Sequence, residues 1–149
     1  MKTEIYKLYL KKEEDLELPY DITKMTHLEI LRDIALRREI NQRSQEVLLM
    51  VAWKSDTQIA GIFELGVGSS YGVTDVTKEI FQAALLCNAT AIGLIHNHPG
   101  GDAMPSTKDK TNCLRLRDIG DILRISLVED AVINFDGDIS SILNAALLK

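Results

Sequence analysis

The sequence predicts an α/β fold built in layers, and three observations predict it. Residues 47–53 and 89–95 are short apolar runs bounded by turn residues, which read as buried strands. Apolar residues at helical spacing recur in 27–40, 76–87 and 107–120. The two kinds of segment alternate along the chain, as layered α/β packing requires. With 149 residues, the chain has the length of one domain, 1–149, and can bury a sizeable core without disulfide or metal staples.

Residues 3–12 carry the β-formers Ile5, Tyr6, Leu8, Tyr9 and Leu10 and are expected to form a first strand at a sheet edge, followed by an acidic turn at Glu13-Glu14-Asp15. Thr26-x-x-Glu29 is a capping-box pattern that opens the helix of 27–40. This strand and helix, 1–39, read as a packing extension, with His27 on the surface. Glu46 then opens the run 47–53, and Lys54-Ser55-Asp56-Thr57 turns the chain into 58–63, so the two pair as a hairpin. Gly66 to Gly72 lacks both Gly-Lys-Ser/Thr and the third glycine of a dinucleotide fingerprint, and is expected to be a loop beside the functional site.

Thr74 is the expected cap of the next helix, which turns Ile80, Phe81, Ala84 and Leu85 inward and stops at Asn88. Beyond the helix that starts at Thr107, two strands are expected at 124–128 and 131–135, then a hairpin turn at Asp136-Gly137 and a closing helix at 141–148. Cys87 and Cys113 form no CxxC pair and read as small buried thiols, with no disulfide expected.

The functional signal is concentrated in 95–109, which holds two of the three histidines. Where the strand 89–95 emerges, the alternation of an extended chain puts His96 and His98 on one side and Asn97 on the other. Pro99 ends strand pairing, and Gly100-Gly101 permit a tight turn before Pro105 and Ser106. Two imidazoles and the Asp109 carboxylate would leave a fourth tetrahedral position for water, the pattern of a catalytic zinc site. Ser106-x-x-Asp109 is equally an ordinary helix start, with a serine cap and an acid in the first turn.

His96-x-His98-Pro99-x-Gly101 with Pro105-Ser106-x-x-Asp109 resembles the signature of the JAMM (MPN+, JAB) zinc metallohydrolases, in particular their RadC-like branch. The resemblance extends upstream through 76–85 and Asn88-Ala89 and covers about residues 40–143. It implies a three-layer α/β/α sandwich around a mixed β-sheet, of the cytidine-deaminase-like kind. It also implies one Zn²⁺ per chain on His96, His98 and Asp109, with Glu46 moving protons at the site and Ser106 donating to a developing oxyanion. Glu64, in the next strand, is the competitor for the glutamate role. The implied reaction is hydrolysis of a peptide or isopeptide bond in a protein or peptide substrate. Two positions depart from the RadC-like pattern: Gly100 stands where a serine is usual, and Ala131, after Asp130, where a histidine is usual.

Alternatives are a DNA-repair-associated role, as the RadC resemblance allows, and a non-catalytic interaction module. The net charge of −5 argues against direct nucleic-acid binding, and Lys108, Lys110, Arg115 and Arg117 divide between helix faces rather than forming a basic stripe. An HNH nuclease disperses its motif residues, and a zinc deaminase needs H-x-E with P-C-x-x-C, which is absent. No apolar run has the length of a membrane span and the first residues lack a signal-peptide core, so a soluble, cytoplasmic protein is expected. The oligomeric state is not legible.

Overall fold

The computed structural model describes residues 1–67 and 76–148. Within them, β1 (Val47–Ser55), β2 (Gln58–Val67), β3 (Ala91–Asn97), β4 (Ser126–Ile133) and β5 (Ile139–Ser141) form one sheet in the order β2-β1-β3-β4-β5. The helices are α1 (His27–Arg37), α2 (Thr77–Leu86), α3 (Thr107–Leu123) and α4 (Ile142–Leu147). The β3–β4 pair is parallel and the other three pairs are antiparallel. A parallel pair needs a crossover, and α3 provides it.

The sheet is apolar on both faces because both are covered. Leu49, Val51, Trp53 and Ile95 point to α1, where they meet Ile30, Leu31 and Ile34. Leu48, Met50, Ile92 and Leu94 point the other way, to Ile80 and Phe81 of α2, Cys113 and Leu116 of α3, and Ile142 of α4. The three-layer expectation therefore holds, with one helix on one face and three on the other. Gly120 lets the end of α3 pass close to the backbone just before β4: a Cβ there would lie 2.3 Å from the Ile125 carbonyl oxygen.

Local chemistry sets the element ends. Thr26 and Glu29 make the expected reciprocal capping box. Helix α1 stops at Arg37, short of the expected end, because Glu39 takes φ 55° and turns Ile40 into the core. The hairpin of β1 and β2 forms as expected, and Asn88 ends the α2 segment with φ 55°. Thr74 and most of the glycine-spaced segment lie outside the described residues.

Three expectations are corrected. Residues 3–12 form no strand, and 13–15 no turn: the segment is exposed and unpaired, since β-formers make a strand only where a neighbour accepts their backbone hydrogen bonds. The two strands expected at 124–128 and 131–135 are one continuous strand, β4, because Glu129 and Asp130 are buried rather than marking a turn. Helix α3 runs past Gly120 to Leu123 and ends where Arg124 adopts φ 59°. The three-residue β5 was not expected; Gly137, at φ +87° in the turn before it, permits the reversal.

Candidate metal centre

Strand β3 lies between β1 and β4, with His96 opposite Leu48 and Val132. The His96 side chain is 3% exposed, whereas that of His98, just past the strand end, is 22% exposed. The predicted alternation brings the two rings together, Nε2 to Nε2 at 3.1 Å. His98 Nδ1 lies 3.1 Å from the Asp102 carbonyl oxygen. A carbonyl only accepts, so this contact puts a proton on His98 Nδ1 and turns Nε2 toward His96 and Asp109.

Asp109 sits at the third position of α3, in a complete capping box. Its backbone N–H donates to Ser106 Oγ at 3.0 Å, and its Oδ2 accepts the Ser106 N–H at 2.9 Å. That fixes the carboxylate where Oδ1 is 3.5 Å from His96 Nε2 and Oδ2 is 3.3 Å from His98 Nε2. The cap and the site are therefore the same residues. Burial opposes the Asp109 charge, but hydrogen bonds accepted from His96, from His98 and from the Ser106 N–H outweigh it and hold the carboxyl well below the usual range. The same contact with Asp109 raises His98 above its ordinary value, with burial opposing and the Asp102 carbonyl adding to it.

Glu46 precedes β1 at the mouth of the site, its Oε1 3.6 Å from His96 Nε2. Glu46, His96 and His98 have ligand atoms all within 4.8 Å of one another, a set able to hold a metal ion. The imidazole pair thus has a carboxylate on each side. Glu64, the alternative glutamate, lies opposite Leu49, on the sheet face that carries α1, and is bound by Arg38 and Arg43. It belongs to the other side of the sheet from His96.

The donor set fits a borderline-soft divalent ion such as zinc. Nitrogens bound at about 2.0–2.1 Å in a tetrahedral arrangement lie about 3.3 Å apart, close to the spacing of this pair. Two imidazole nitrogens at this spacing, with Glu46 beside them, are able to share a cation. A RadC-like JAB domain model matches residues 26–147 of the sequence. The chain belongs to the RadC-like JAB domain family.

Several of its relatives bear the name UPF0758 protein. One from Clostridium beijerinckii is 36% identical over 104 residues, covering 68% of this chain and 45% of the relative. One from Staphylococcus epidermidis is 29% identical over 128 residues, 85% of this chain and 55% of the relative. One from Thermotoga maritima is 29% identical over 100 residues. The chain spans about half the length of the curated relatives it matches. The family match takes in α1, which the sequence reading set apart as an extension.

The departure from the RadC-like pattern at Ala131 does not reach this centre. Ala131 is fully buried among the side chains under α1, so its Cβ faces away from the imidazoles. Two residues that shape the centre escaped the sequence reading. Asn97, expected only to point away, is 1% exposed and ties down the segment that carries Glu46. Asp130 is buried and lines, with His96, Asp109 and Asn112, a cavity of about 20 Å³ behind the centre, room for one water. Burial, with Asp109 and Glu129 adding to it and His96 and Cys113 opposing, pushes Asp130 up to about 7. An acid pair inside an otherwise apolar strand was the available signal. No helix among the described residues is long and apolar enough to cross a membrane.

Proposed function

We propose that the chain is a zinc-dependent hydrolase of peptide or isopeptide bonds, acting on a protein or peptide, with His96, His98 and Asp109 as the ligands. The observation that carries this reading is the 3.1 Å approach of the two imidazole Nε2 atoms with Asp109 against both. Asp109 suits a ligand better than Glu46 does, being pinned at both ends of a capping box and 13% exposed, against 31% for Glu46. When bound, the ion polarises a carbonyl and lowers the pKa of water.

The remaining steps belong to the chain. Glu46 Oε1, at the mouth and open to solvent, accepts a proton from the attacking water and returns it to the leaving amine. Asn97 holds the backbone on either side of Glu46, which fixes where that carboxylate starts. Ser106 Oγ accepts the Asp109 N–H, which leaves its own O–H to donate to an oxyanion. The His98 contact with Asp102 occupies Nδ1 and keeps Nε2 directed inward.

The test is elemental analysis of untagged wild type beside His96→Ala/His98→Ala and Glu46→Gln, followed by peptide and isopeptide cleavage assays. About one zinc per chain is expected in wild type and in Glu46→Gln, and none in the double variant. Glu46→Gln should lose about 10²-fold or more in turnover while keeping its metal. Folded wild type that neither contains nor takes up zinc overturns the reading.

A further inference from the structure

One buried acid has no part in the hydrolysis proposed above. Asp130 lies inside β4 and is 5% exposed. It pairs in register with Leu94, while Val132, two residues on, pairs with His96. Partners in a sheet share a face, and so do residues two apart on one strand. Asp130 and His96 are therefore diagonal neighbours on adjacent strands, on the face that α3 covers. Glu129, the acid beside Asp130, is already held by the Asp130 N–H at 2.9 Å and the Ser141 hydroxyl at 2.6 Å. The Asp130 carboxyl is approached by the Cys113 thiol, a weak donor, which leaves it capacity to accept more.

His96 has the complementary need. Its ring meets polar side chains through Nε2: His98 at 3.1 Å, Asp109 at 3.5 Å and Glu46 at 3.6 Å. That is the nitrogen an ion would take, and a neutral imidazole that offers Nε2 carries its proton on Nδ1. His98 meets this demand with the Asp102 carbonyl. The His96 side chain is 3% exposed, too buried for bulk solvent to serve, and among the described residues no protein hydrogen bond takes up its Nδ1. The cavity of about 20 Å³ joins the two needs. His96 and Asp130 both line it, with Asp109 and Asn112 as further polar partners and Leu94, Leu116 and Ile142 closing it. It has room for one water and the number of polar partners a buried water takes.

We infer that Asp130 is a positioning residue for the ion: through one water held in this cavity its carboxyl accepts the hydrogen bond of His96 Nδ1–H, which locks the ring with Nε2 toward His98 and Asp109. The inference rests on His96 being a metal ligand and adds the group that orients it. A carboxyl keeps an accepting oxygen in either protonation state, so the link does not depend on the Asp130 charge. Outer partners of ligand histidines fix the tautomer and the ring orientation, and their loss costs about 10–100-fold in metal affinity.

The test compares wild type, Asp130→Val and Asp130→Asn as full chains. Zinc affinity is read by competition with a chromophoric chelator, and the His96 Nδ1–H proton of the zinc-loaded chain by NMR. Valine matches the shape of the acid and cannot accept, whereas the asparagine amide oxygen can. Wild type is expected to show a His96 Nδ1–H that exchanges slowly with solvent. Asp130→Val is expected to keep its far-ultraviolet circular dichroism, bind zinc about 10–100-fold more weakly and exchange that proton faster. Asp130→Asn is expected to recover most of the loss. A valine variant with wild-type affinity, or an asparagine variant as weak as the valine one, overturns the inference. So does a fast-exchanging His96 Nδ1–H in wild type, a reading that stands even if Asp130→Val does not fold. Wild type that takes up no zinc overturns the hydrolase reading and this inference with it, whereas zinc held equally by wild type and Asp130→Val overturns this inference alone.

Discussion

The Asn97 side-chain oxygen accepts the Val47 backbone N–H at 2.7 Å, joining the end of the histidine strand to the start of the glutamate strand. Its Nδ2 donates to the carbonyls of Arg43 and Gln45, at 3.1 and 3.0 Å. One buried amide therefore holds the backbone around Glu46 from inside the strand that presents His96 and His98. Asn97→Ala would leave buried backbone groups without partners and is expected to cost about 3 kcal/mol, read by urea denaturation. If the proposed role of Glu46 holds, the variant should keep its zinc while losing hydrolysis.

Asp130 makes the stability of the metal-free chain depend on pH. Its folded pKa of about 7 lies above the unfolded value of about 3.9, so the folded state holds the extra proton and stability falls as pH rises through that window. Asp130→Asn should remove this slope and leave the variant more stable than wild type at pH ~8. His98, also raised, adds stability present below about pH 6.5 and lost as pH rises through its folded value. Thermal melts of the two variants Asp130→Asn and His98→Ala across pH ~4–9 separate the two slopes.

Metal should act as a ligand of the folded state alone. Free zinc at a hundred times its dissociation constant is expected to stabilise wild type by about 2.7 kcal/mol. Chelation should reverse the gain, and Asp109→Ala should show a much smaller one, read as the shift in the melting midpoint.

Gly120 inverts an ordinary expectation. Within a helix, Gly→Ala usually stabilises by about 1 kcal/mol. Here the new Cβ would sit 2.3 Å from the Ile125 carbonyl oxygen, and backbone cannot swing aside as a side chain can. Gly120→Ala is expected to destabilise by about 1–3 kcal/mol in equilibrium unfolding.

The sequence by itself determined what depends on neighbours along the chain. Alternation in an extended strand put His96 and His98 on one side, and helix-start chemistry made Ser106 a cap with Asp109 in the first turn. Both are short-range geometry and both were legible. Tertiary structure decided what depends on which strands meet. Pairing β1 with β3 placed Glu46 beside His96, and the pleat sent Glu64 to the opposite face, a choice that only register makes. Residues 3–12 have the composition of a strand and stay unpaired, because a strand also needs an adjacent backbone. Glu129 and Asp130 read as a break, yet lie inside β4: Ser141 and the Asp130 N–H satisfy one acid, and a neutral carboxyl lowers the cost of burying the other. Ser141 comes from beyond the turn that follows β4, and only the folded chain brings it within reach of Glu129.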